Sequence, residues 1–236
     1  MDPREFYDDR WQSEAAVGPV HATARRDPLH RYLLDPVFDP FANPRSQVAL
    51  SLLQGGQRLL DVGCWNGGFL QSVRDAGLYA ELAGVDVVEA GVAAAIKRGF
   101  DAQVVDLNRE PLPFPDAHFD GLTLLAVLEH VFDPYFMLAE VRRVLRPGGE
   151  LVIDVPNAGS FSNRLRLLFG RIPVTSADAG WDGGHLHYFT RHALDGLLAG
   201  EGFDVRTRRT TGGRARLREW WISLMGGELV YHCRRR

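Results

Sequence analysis

Three aspartates stand at the ends of successive apolar segments, and glycines follow the first of them. Asp61 ends RLLDV and leads into GCWNGG, Asp86 ends ELAGVDV, and Asp106 ends DAQVVDL. If these segments are parallel strands, their carboxyl ends meet at one edge of the sheet, where open α/β sheets bind ligands. Glycines let a ligand approach the backbone closely. Asp86 can accept hydrogen bonds from ribose hydroxyls, and Asp106, with the N–H of Leu107, can recognise adenine.

The loop after Asp61 lacks the features that bind a phosphate. Its spacing is not G-x-G-x-x-G, and no G-K-[ST] follows as in a P-loop. A ligand that contains adenosine but no phosphate is therefore the better match. A buried strand followed by an ordinary turn would explain Gly63 and Gly67, but it would not explain the aspartates at the next two strand ends.

Apolar segments alternate with helical segments along most of the chain, which predicts an α/β fold with a parallel sheet covered on both faces. The last two strands are expected to pair antiparallel. The prediction is a Rossmann-like, seven-stranded, doubly wound sheet that is mostly parallel with an antiparallel last strand. The predicted strands are RLLDV, ELAGVDV, DAQVVDL, FDGLTLLAV, ELVIDVP, FDVRTRRT and ELVYHC, and the predicted helices are Ser46–Gln54, Gly68–Ala76, Glu89–Arg98, Asp133–Leu145 and Thr190–Ala199.

Two segments depart from this regular pattern. Residues 1–45 are rich in proline and predict one short helix, about Arg4 to Ser13, followed by loops. Tyr7 and Trp11 are four residues apart on that helix, as in a lid or in simple packing on the core. Residues 157–184 form a long connection. We therefore expect an N-terminal lid over residues 1–45 and a main domain over 46–236 with a lid insertion at about 157–184.

Composition limits the classes of partner. The chain has 236 residues, 45% of them hydrophobic, and a net charge of -3, which gives no reason to expect nucleic acid as a partner. Only Cys64 and Cys233 are present, so a reducing cytoplasm is the expected location. No run of about 18 apolar residues exists to span a bilayer. The basic amphipathic stretch at 161–172 can touch a membrane surface or a lipid-like substrate, or simply form a lid helix.

Four motifs in order carry a family resemblance. LLDVGCWNGGFL, GVDVVE, VVDLNREPLPFPDAHFDGLTLLAVLEHVFDP and VLRPGGELVIDVPN resemble the motifs of class I S-adenosylmethionine-dependent methyltransferases. The tail HLHYFTRHALDGLLAGEGFDV resembles the small-molecule branch of that superfamily. LPFPDAHFD and LRPGGELVIDVPN resemble the ubiquinone-pathway O-methyltransferases in particular. The match runs from about Arg58 to Val205.

The resemblance implies S-adenosylmethionine as the cofactor and S-adenosylhomocysteine as the product. It also implies a role for each matching residue. The residues implied to bind the cofactor are Asp61, Gly63, Cys64, Trp65, Asn66 and Gly67 at the methionine end, Asp86 and Val87 at the ribose, Asp106 and Leu107 at the adenine, and Ala126 beneath the methionine part.

Trp65 departs from the family pattern. The family loop is D-x-G-x-G-x-G, and Trp65 replaces its middle glycine. We expect Trp65 to adopt a negative φ, with its indole turned outward or toward the substrate chamber. The alternative is a degenerate loop with weakened cofactor affinity.

Three histidines are candidates for the acceptor end of the site. His130 follows Glu129 after the fourth strand, and His185 and His187 lie in GGHLHYFT. His130 or His185 can act as a general base on a hydroxyl, or each can be structural. We expect no metal, because ubiquinone-pathway enzymes tend to carry a further acidic residue where Ala126 stands, and because two histidines alone make a poor metal site.

The function expected from these observations is methyl transfer to a small-molecule acceptor, at a hydroxyl oxygen. The alternatives that stay open are a nitrogen or carbon acceptor and a non-catalytic cofactor-binding or scaffold protein. A nucleic-acid or protein methyltransferase is disfavoured, because AVLEHV stands where base methyltransferases often carry [ND]-P-P-[YF], and because the charge is near neutral.

Overall fold

A computed structural model describes residues 44–175, 184–211 and 215–236 of the chain. The helix predicted near Arg4 to Ser13, with Tyr7 and Trp11, lies outside these residues, as does the end of the predicted lid insertion. The division into an N-terminal lid and a main domain therefore stays a prediction.

Seven strands form one sheet in the order β3-β2-β1-β4-β5-β7-β6. All neighbours pair parallel except β5 with β7 and β6 with β7, which pair antiparallel. The predicted seven-stranded sheet with an antiparallel last strand is thus confirmed. The strands are β1 Gly56–Val62, β2 Tyr79–Asp86, β3 Asp101–Val104, β4 Phe119–Leu125, β5 Leu145–Pro156, β6 Phe203–Arg209 and β7 Glu228–Arg235.

The described helices surround this sheet. They are α1 Pro44–Leu52, α2 Gly68–Asp75, α3 Glu89–Lys97, α4 Pro134–Val144, α5 Phe161–Leu168, α6 Arg191–Gly200, α7 Ala215–Trp220 and α8 Ile222–Met225. Side chains fix the start of two of them. Asp133 accepts from the N–H groups of Tyr135 and Phe136 at the start of α4, and Thr190 accepts from Ala193 N–H at the start of α6.

The core lies on both faces of the sheet because successive strand residues point to opposite sides. On β1, Leu59 packs with residues of α1 and α2, whereas Leu60 packs with residues of α4 and α6. The central strands β1 and β4 are neighbours, so the loops that follow them are adjacent at the carboxyl edge of the sheet.

The third strand is shorter than its apolar pattern suggested. β3 ends at Val104, and Val105 N–H donates to the Asp86 carbonyl oxygen just beyond the last strand pair. Asp106 and Leu107 therefore lie in a loop, which still begins at the carboxyl edge of the sheet.

Candidate functional site

The loop after β1 is fixed to the end of β2. The N–H groups of Gly63 and Cys64 both donate to the Val85 carbonyl oxygen, at 2.8 and 3.0 Å. Gly63 has a φ of +80°, and a Cβ at this position would lie 2.3 Å from Cγ2 of Val127. Glycine is therefore required here, because the loop after β1 touches the loop after β4.

Trp65 has the backbone conformation of the glycine that it replaces. Its φ is +46°, in the left-handed region that residues with a Cβ rarely adopt. Its indole lies over Gly91 in the first turn of α3, where a Cβ would be 2.8 Å from the ring atom Cε3. The expected negative φ is therefore wrong, whereas the expectation that the indole faces outward or the substrate chamber stays a prediction. The indole packs on Gly91. It is half-buried against α3, on the β2 side of the loop.

The carboxylate of Asp86 is held by backbone donors. Oδ2 accepts from Trp65 N–H and Oδ1 from Val88 N–H, at 2.8 and 2.9 Å. Burial raises the pKa of Asp86, and the backbone N–H groups of Val88, Trp65 and Val87 oppose the shift. Each carboxylate oxygen can accept a second hydrogen bond. The arrangement therefore fits a ribose diol, whose two hydroxyls need acceptors.

The other loop residues contribute backbone rather than side chains to this edge. The thiol of Cys64 packs over Gly84, where a Cβ would be 2.6 Å from Sγ, and burial raises its pKa. The side-chain oxygen of Asn66 accepts from Gly68 N–H at the start of α2. Gly67 has a φ of +72°, and a Cβ there would meet the ring of Phe100 at 2.9 Å. These residues shape the loop and leave its backbone to face a ligand.

Asp61 is buried beneath the loop rather than exposed in it. Its Oδ1 accepts from the hydroxyl of Thr123, on β4, at 2.6 Å. Burial, with a smaller contribution from the charge of Asp86, raises the pKa of Asp61 to about 7, and the Thr123 hydrogen bond opposes the shift. Asp61 is therefore placed to hold β1 and β4 together beneath the predicted methionine end.

Asp106 and Leu107 begin the loop after β3. Asp106 is fully buried, its Oδ1 accepts from Asn108 N–H at 3.1 Å, and its Oδ2 lies 3.6 Å from Nε of Arg109. The side chain of Asn108 accepts from Phe132 N–H at 2.7 Å, which joins this loop to the segment after β4. Leu107 is nearly buried in the core, so it offers the site its backbone alone.

Ala126, the first residue after β4, has a left-handed backbone as well. Its φ is +56°, and its N–H donates to the Asp154 carbonyl oxygen at 3.1 Å. Among the described residues, three that are not glycine have a positive φ, and two of them, Ala126 and Trp65, lie at this edge of the sheet. Such strained residues concentrate at functional sites.

Backbone contacts bring two distant histidines together. Leu186 N–H and His187 N–H both donate to the Glu129 carbonyl oxygen, and Nε2 of His187 donates to the Val131 carbonyl oxygen at 2.9 Å. The rings of His130 and His185 consequently meet edge to face, with centroids 4.6 Å apart. Nδ1 of His185 also lies 2.7 Å from the Thr175 hydroxyl. His185 thus pairs with His130 rather than with His187, whose ring fixes the loop.

Buried acids lie beside the histidines. Within the part of the chain that the structure describes, both carboxylate oxygens of Glu129 and of Asp154 lack a hydrogen-bond partner. Burial raises the pKa of Glu129 to about 8, and burial together with the charge of Glu228 raises that of Asp154. In α1, Nε of Arg45 lies 3.7 Å from Oδ2 of Asp154, and Nη2 of Arg45 lies 2.6 Å from Oε1 of Glu228. Sequence reasoning missed Asp154, although a charged residue inside the apolar run LVIDVP was a usable signal.

One atom each from Glu129, His130 and His185 forms a group whose members lie within 4.8 Å of one another, a spacing that a metal ion can bridge. The prediction that no metal is used therefore stays open to test.

The segment at 161–172 forms α5 and the turn after it. Its apolar side chains Leu167, Leu168, Phe169 and Ile172 are exposed, with Arg164 and Arg166 on the same helix. Contact with a membrane surface or a lipid-like substrate stays a prediction. No helix in the described part of the chain is long and apolar enough to cross a bilayer.

Comparison with known proteins identifies the family. A family model described as a methyltransferase domain matches residues 29–208. The demethylmenaquinone methyltransferase of Thermus thermophilus is 29% identical over 187 residues, which are 72% of this chain and 85% of that protein. The ubiquinone biosynthesis O-methyltransferase of Hahella chejuensis is 31% identical over 62% of this chain and 56% of its own length. The 27-O-demethylrifamycin SV methyltransferase of Amycolatopsis mediterranei is 36% identical over 43% of this chain and 39% of its own length.

Solved structures agree on the fold. A methyltransferase from Mesorhizobium loti matches with a TM-score of 0.60 at 19% identity, over 82% of this chain and 99% of that chain. The N-methyltransferase NodS of Bradyrhizobium japonicum, solved with S-adenosylhomocysteine, matches with a TM-score of 0.58 at 17% identity, over 97% of both chains. The family match covers well over half of the sequence, so the chain belongs to the methyltransferase domain family and is a class I S-adenosylmethionine-dependent methyltransferase.

Proposed function

We propose that the protein transfers the methyl group of S-adenosylmethionine to a hydroxyl oxygen of a small molecule, and that His130 and His185 act at the acceptor end. The observation that carries this proposal is that the ring of His185 meets the ring of His130, which lies in the loop after β4 that also touches Gly63. Relatives whose names specify O-methylation of small molecules support the choice of acceptor.

The cofactor would be held by the carboxyl edge of the sheet. Asp86 would accept from the ribose hydroxyls, Asp106 with Leu107 N–H would contact the adenine, and the backbone of the loop from Gly63 to Gly67 would face the methionine part. Ala126, left-handed at the end of β4, keeps side-chain bulk away from that part. When bound, S-adenosylmethionine supplies an electrophilic methyl group on a positive sulfonium.

The residues of the chain would then align the acceptor and remove its proton. A neutral imidazole of His130 or His185 would accept the hydroxyl proton of the acceptor while the acceptor oxygen takes the methyl group that bound S-adenosylmethionine would supply, leaving S-adenosylhomocysteine. Positioning of the acceptor in line supplies the rest of the rate enhancement. The contact between the Thr175 hydroxyl and Nδ1 of His185 would orient that ring.

The test is turnover with purified protein, S-adenosylmethionine and a panel of hydroxylated aromatic, polyketide-like and sugar acceptors, scored by release of S-adenosylhomocysteine and by the site of methylation. With an active acceptor, we expect His130→Asn or His185→Asn to lower kcat by about 10²- to 10⁴-fold with little change in cofactor affinity. His192→Asn is the matched control, because His192 is an exposed histidine of α6.

Two results would contradict the proposal. Methylation at nitrogen or carbon would leave the enzyme class intact but reject the hydroxyl acceptor. Tight binding of cofactor by calorimetry, without turnover of any acceptor in the panel, would favour the non-catalytic scaffold alternative.

A further inference from the structure

Trp65 is an unusual residue for the place it occupies. Its left-handed backbone, with φ +46°, costs free energy for any residue with a Cβ. Its N–H nevertheless lies 2.8 Å from Oδ2 of Asp86 and donates a hydrogen bond to it. The strained residue thus supplies one of the N–H groups that fix the carboxylate oxygens proposed to bind ribose.

The neighbouring helix has a space that matches the indole. A Cβ on Gly91 would lie 2.8 Å from Cε3 and 3.3 Å from Cζ3 of the indole, and 3.2 Å from the backbone carbonyl carbon of Trp65. Both the ring and the backbone of Trp65 therefore rest on this buried glycine. Where the family loop has its middle glycine, this chain has a large residue, and Gly91 on α3 provides the room for it.

We propose that Trp65 is a positioning residue, whose indole, seated on Gly91, holds the Trp65 N–H on Asp86 and thereby sets the affinity for the ribose of the cofactor. The inference rests on the proposed cofactor site. It differs from a role in the acceptor chamber, because α3 follows β2, whereas His130 follows β4 on the other side of β1 and His185 meets His130.

The experiment measures binding of two ligands by calorimetry, S-adenosylhomocysteine and 5′-methylthioadenosine, which lacks the amino-acid part. Gly91→Ala adds the clashing Cβ. We expect it to weaken both ligands about tenfold, since residues in direct contact couple strongly. This loss runs against helix propensity, which favours alanine over glycine. In a Trp65→Gly background, Gly91→Ala should cause little further loss of affinity, because the indole that the new Cβ would displace is already absent.

A second cycle tests the route through Asp86. In an Asp86→Asn background, Gly91→Ala should cause little further loss of affinity for either ligand. If Gly91→Ala instead caused a general loss of structure, its loss of affinity would add to the loss caused by Asp86→Asn. Gly196→Ala is the matched control, because a Cβ on that glycine of α6 meets nothing within 4 Å. It should leave both affinities unchanged.

Trp65→Asn keeps the inference testable if Gly91→Ala does not fold. Asparagine tolerates the left-handed backbone and keeps the N–H but lacks the indole, so we expect weaker binding of both ligands. Unchanged affinity in Gly91→Ala or Trp65→Asn would overturn the inference. So would a loss of affinity on Gly91→Ala that is equally large in the wild type and in the Trp65→Gly background. A loss confined to S-adenosylhomocysteine would place Trp65 at the methionine end and overturn it too. Failure of the wild type to bind either ligand would instead reject the cofactor site itself.

Discussion

Glu150 at the amino edge of the sheet and Glu129 at the carboxyl edge are each 1% exposed, but their surroundings are opposite. Glu150 accepts hydrogen bonds from Tyr79 OH and from Nε2 of His232, at 2.5 and 2.9 Å, and from the N–H groups of Gln54 and Gly55. Burial raises its pKa, but the hydrogen bonds outweigh burial and leave the pKa below its usual value. No side chain or N–H group of another described residue donates to the carboxylate of Glu129, and burial raises its pKa to about 8.

The comparison separates a buried carboxylate that stabilises the fold from buried acids that lower its stability. A buried charge is tolerated when its hydrogen bonds are complete, as at Glu150. At the carboxyl edge, Glu129 and Asp154 are buried without such bonds from the described residues, and Trp65 and Ala126, at the same edge, have left-handed backbones. Uncompensated burial and strain at one edge are typical of a site selected for function rather than stability.

Removing the amino-edge carboxylate should have the largest effect on stability. We expect Glu150→Ala to lower the free energy of unfolding by about 3–5 kcal/mol, because it leaves Tyr79, His232 and two N–H groups buried without their acceptor. Urea denaturation measures the loss. Glu81→Ala removes an exposed carboxylate paired with Arg58 and should leave stability almost unchanged. Equal losses of unfolding free energy in the two variants would show that the hydrogen bonds of buried Glu150 stabilise the protein no more than an exposed ion pair does.

Glu129→Gln should change how stability depends on pH. A raised pKa in the folded state makes the unfolded chain release its proton first, so wild-type stability falls as pH rises from 4.5 toward 8. The glutamine variant lacks this contribution. When the pH rises from 5 to 8, we therefore expect the free energy of unfolding to fall by about 3–4 kcal/mol less in the glutamine variant than in the wild type.

The measurement is urea denaturation of both proteins at several pH values. The cost of burying the glutamine amide is the same at each pH, so the difference between pH 5 and pH 8 isolates ionisation. Parallel stability curves would mean that Glu129 ionises normally.

Asp86→Ala should act on binding rather than on the pH profile. We expect S-adenosylhomocysteine affinity to fall by about 2–4 kcal/mol, or roughly 30- to 1,000-fold, because a charged acceptor of two hydroxyls is lost. Calorimetry measures it, with Asp204→Ala on β6 as the control. Unchanged affinity would show that the ribose lies elsewhere, and a larger loss in Asp106→Ala would require a different adenine site.

The smallest expected effect is that of a chelator. We expect turnover to change by less than about twofold when EDTA is added, since a sulfonium already activates the methyl group and an imidazole can take the proton. A large loss that a divalent cation restores would show that Glu129, His130 and His185 hold a metal ion, contrary to the prediction from the sequence.

The sequence predicted the sheet well because its information is local. Apolar runs that end in Asp61 and Asp86 mark buried parallel strands and their carboxyl ends, and Thr190 marks the start of α6 through its side chain. The end of β3 was less certain, because the apolar run continues into Val105 beyond the last strand pair.

What the sequence could not give are contacts between distant loops. The backbone donors of Leu186 and His187 join their loop to Glu129, and this alone brings His185 onto His130. Nothing in the spacing of these histidines records that meeting. The positive φ of Trp65 was unpredictable for the same reason, because the hydrogen bond to Asp86 and the space on Gly91, some distance along the chain, decide it.

The position of β7 in the sheet has a consequence for biosynthesis. β7 lies between β5 and β6, so during translation both strands are made before the strand that joins them. Until Glu228–Arg235 is added, β5 presents an open edge and β6 has no partner within the sheet. Open edges invite pairing with other chains, so a nascent or truncated chain that lacks this strand is the form most exposed to aggregation and most dependent on chaperones.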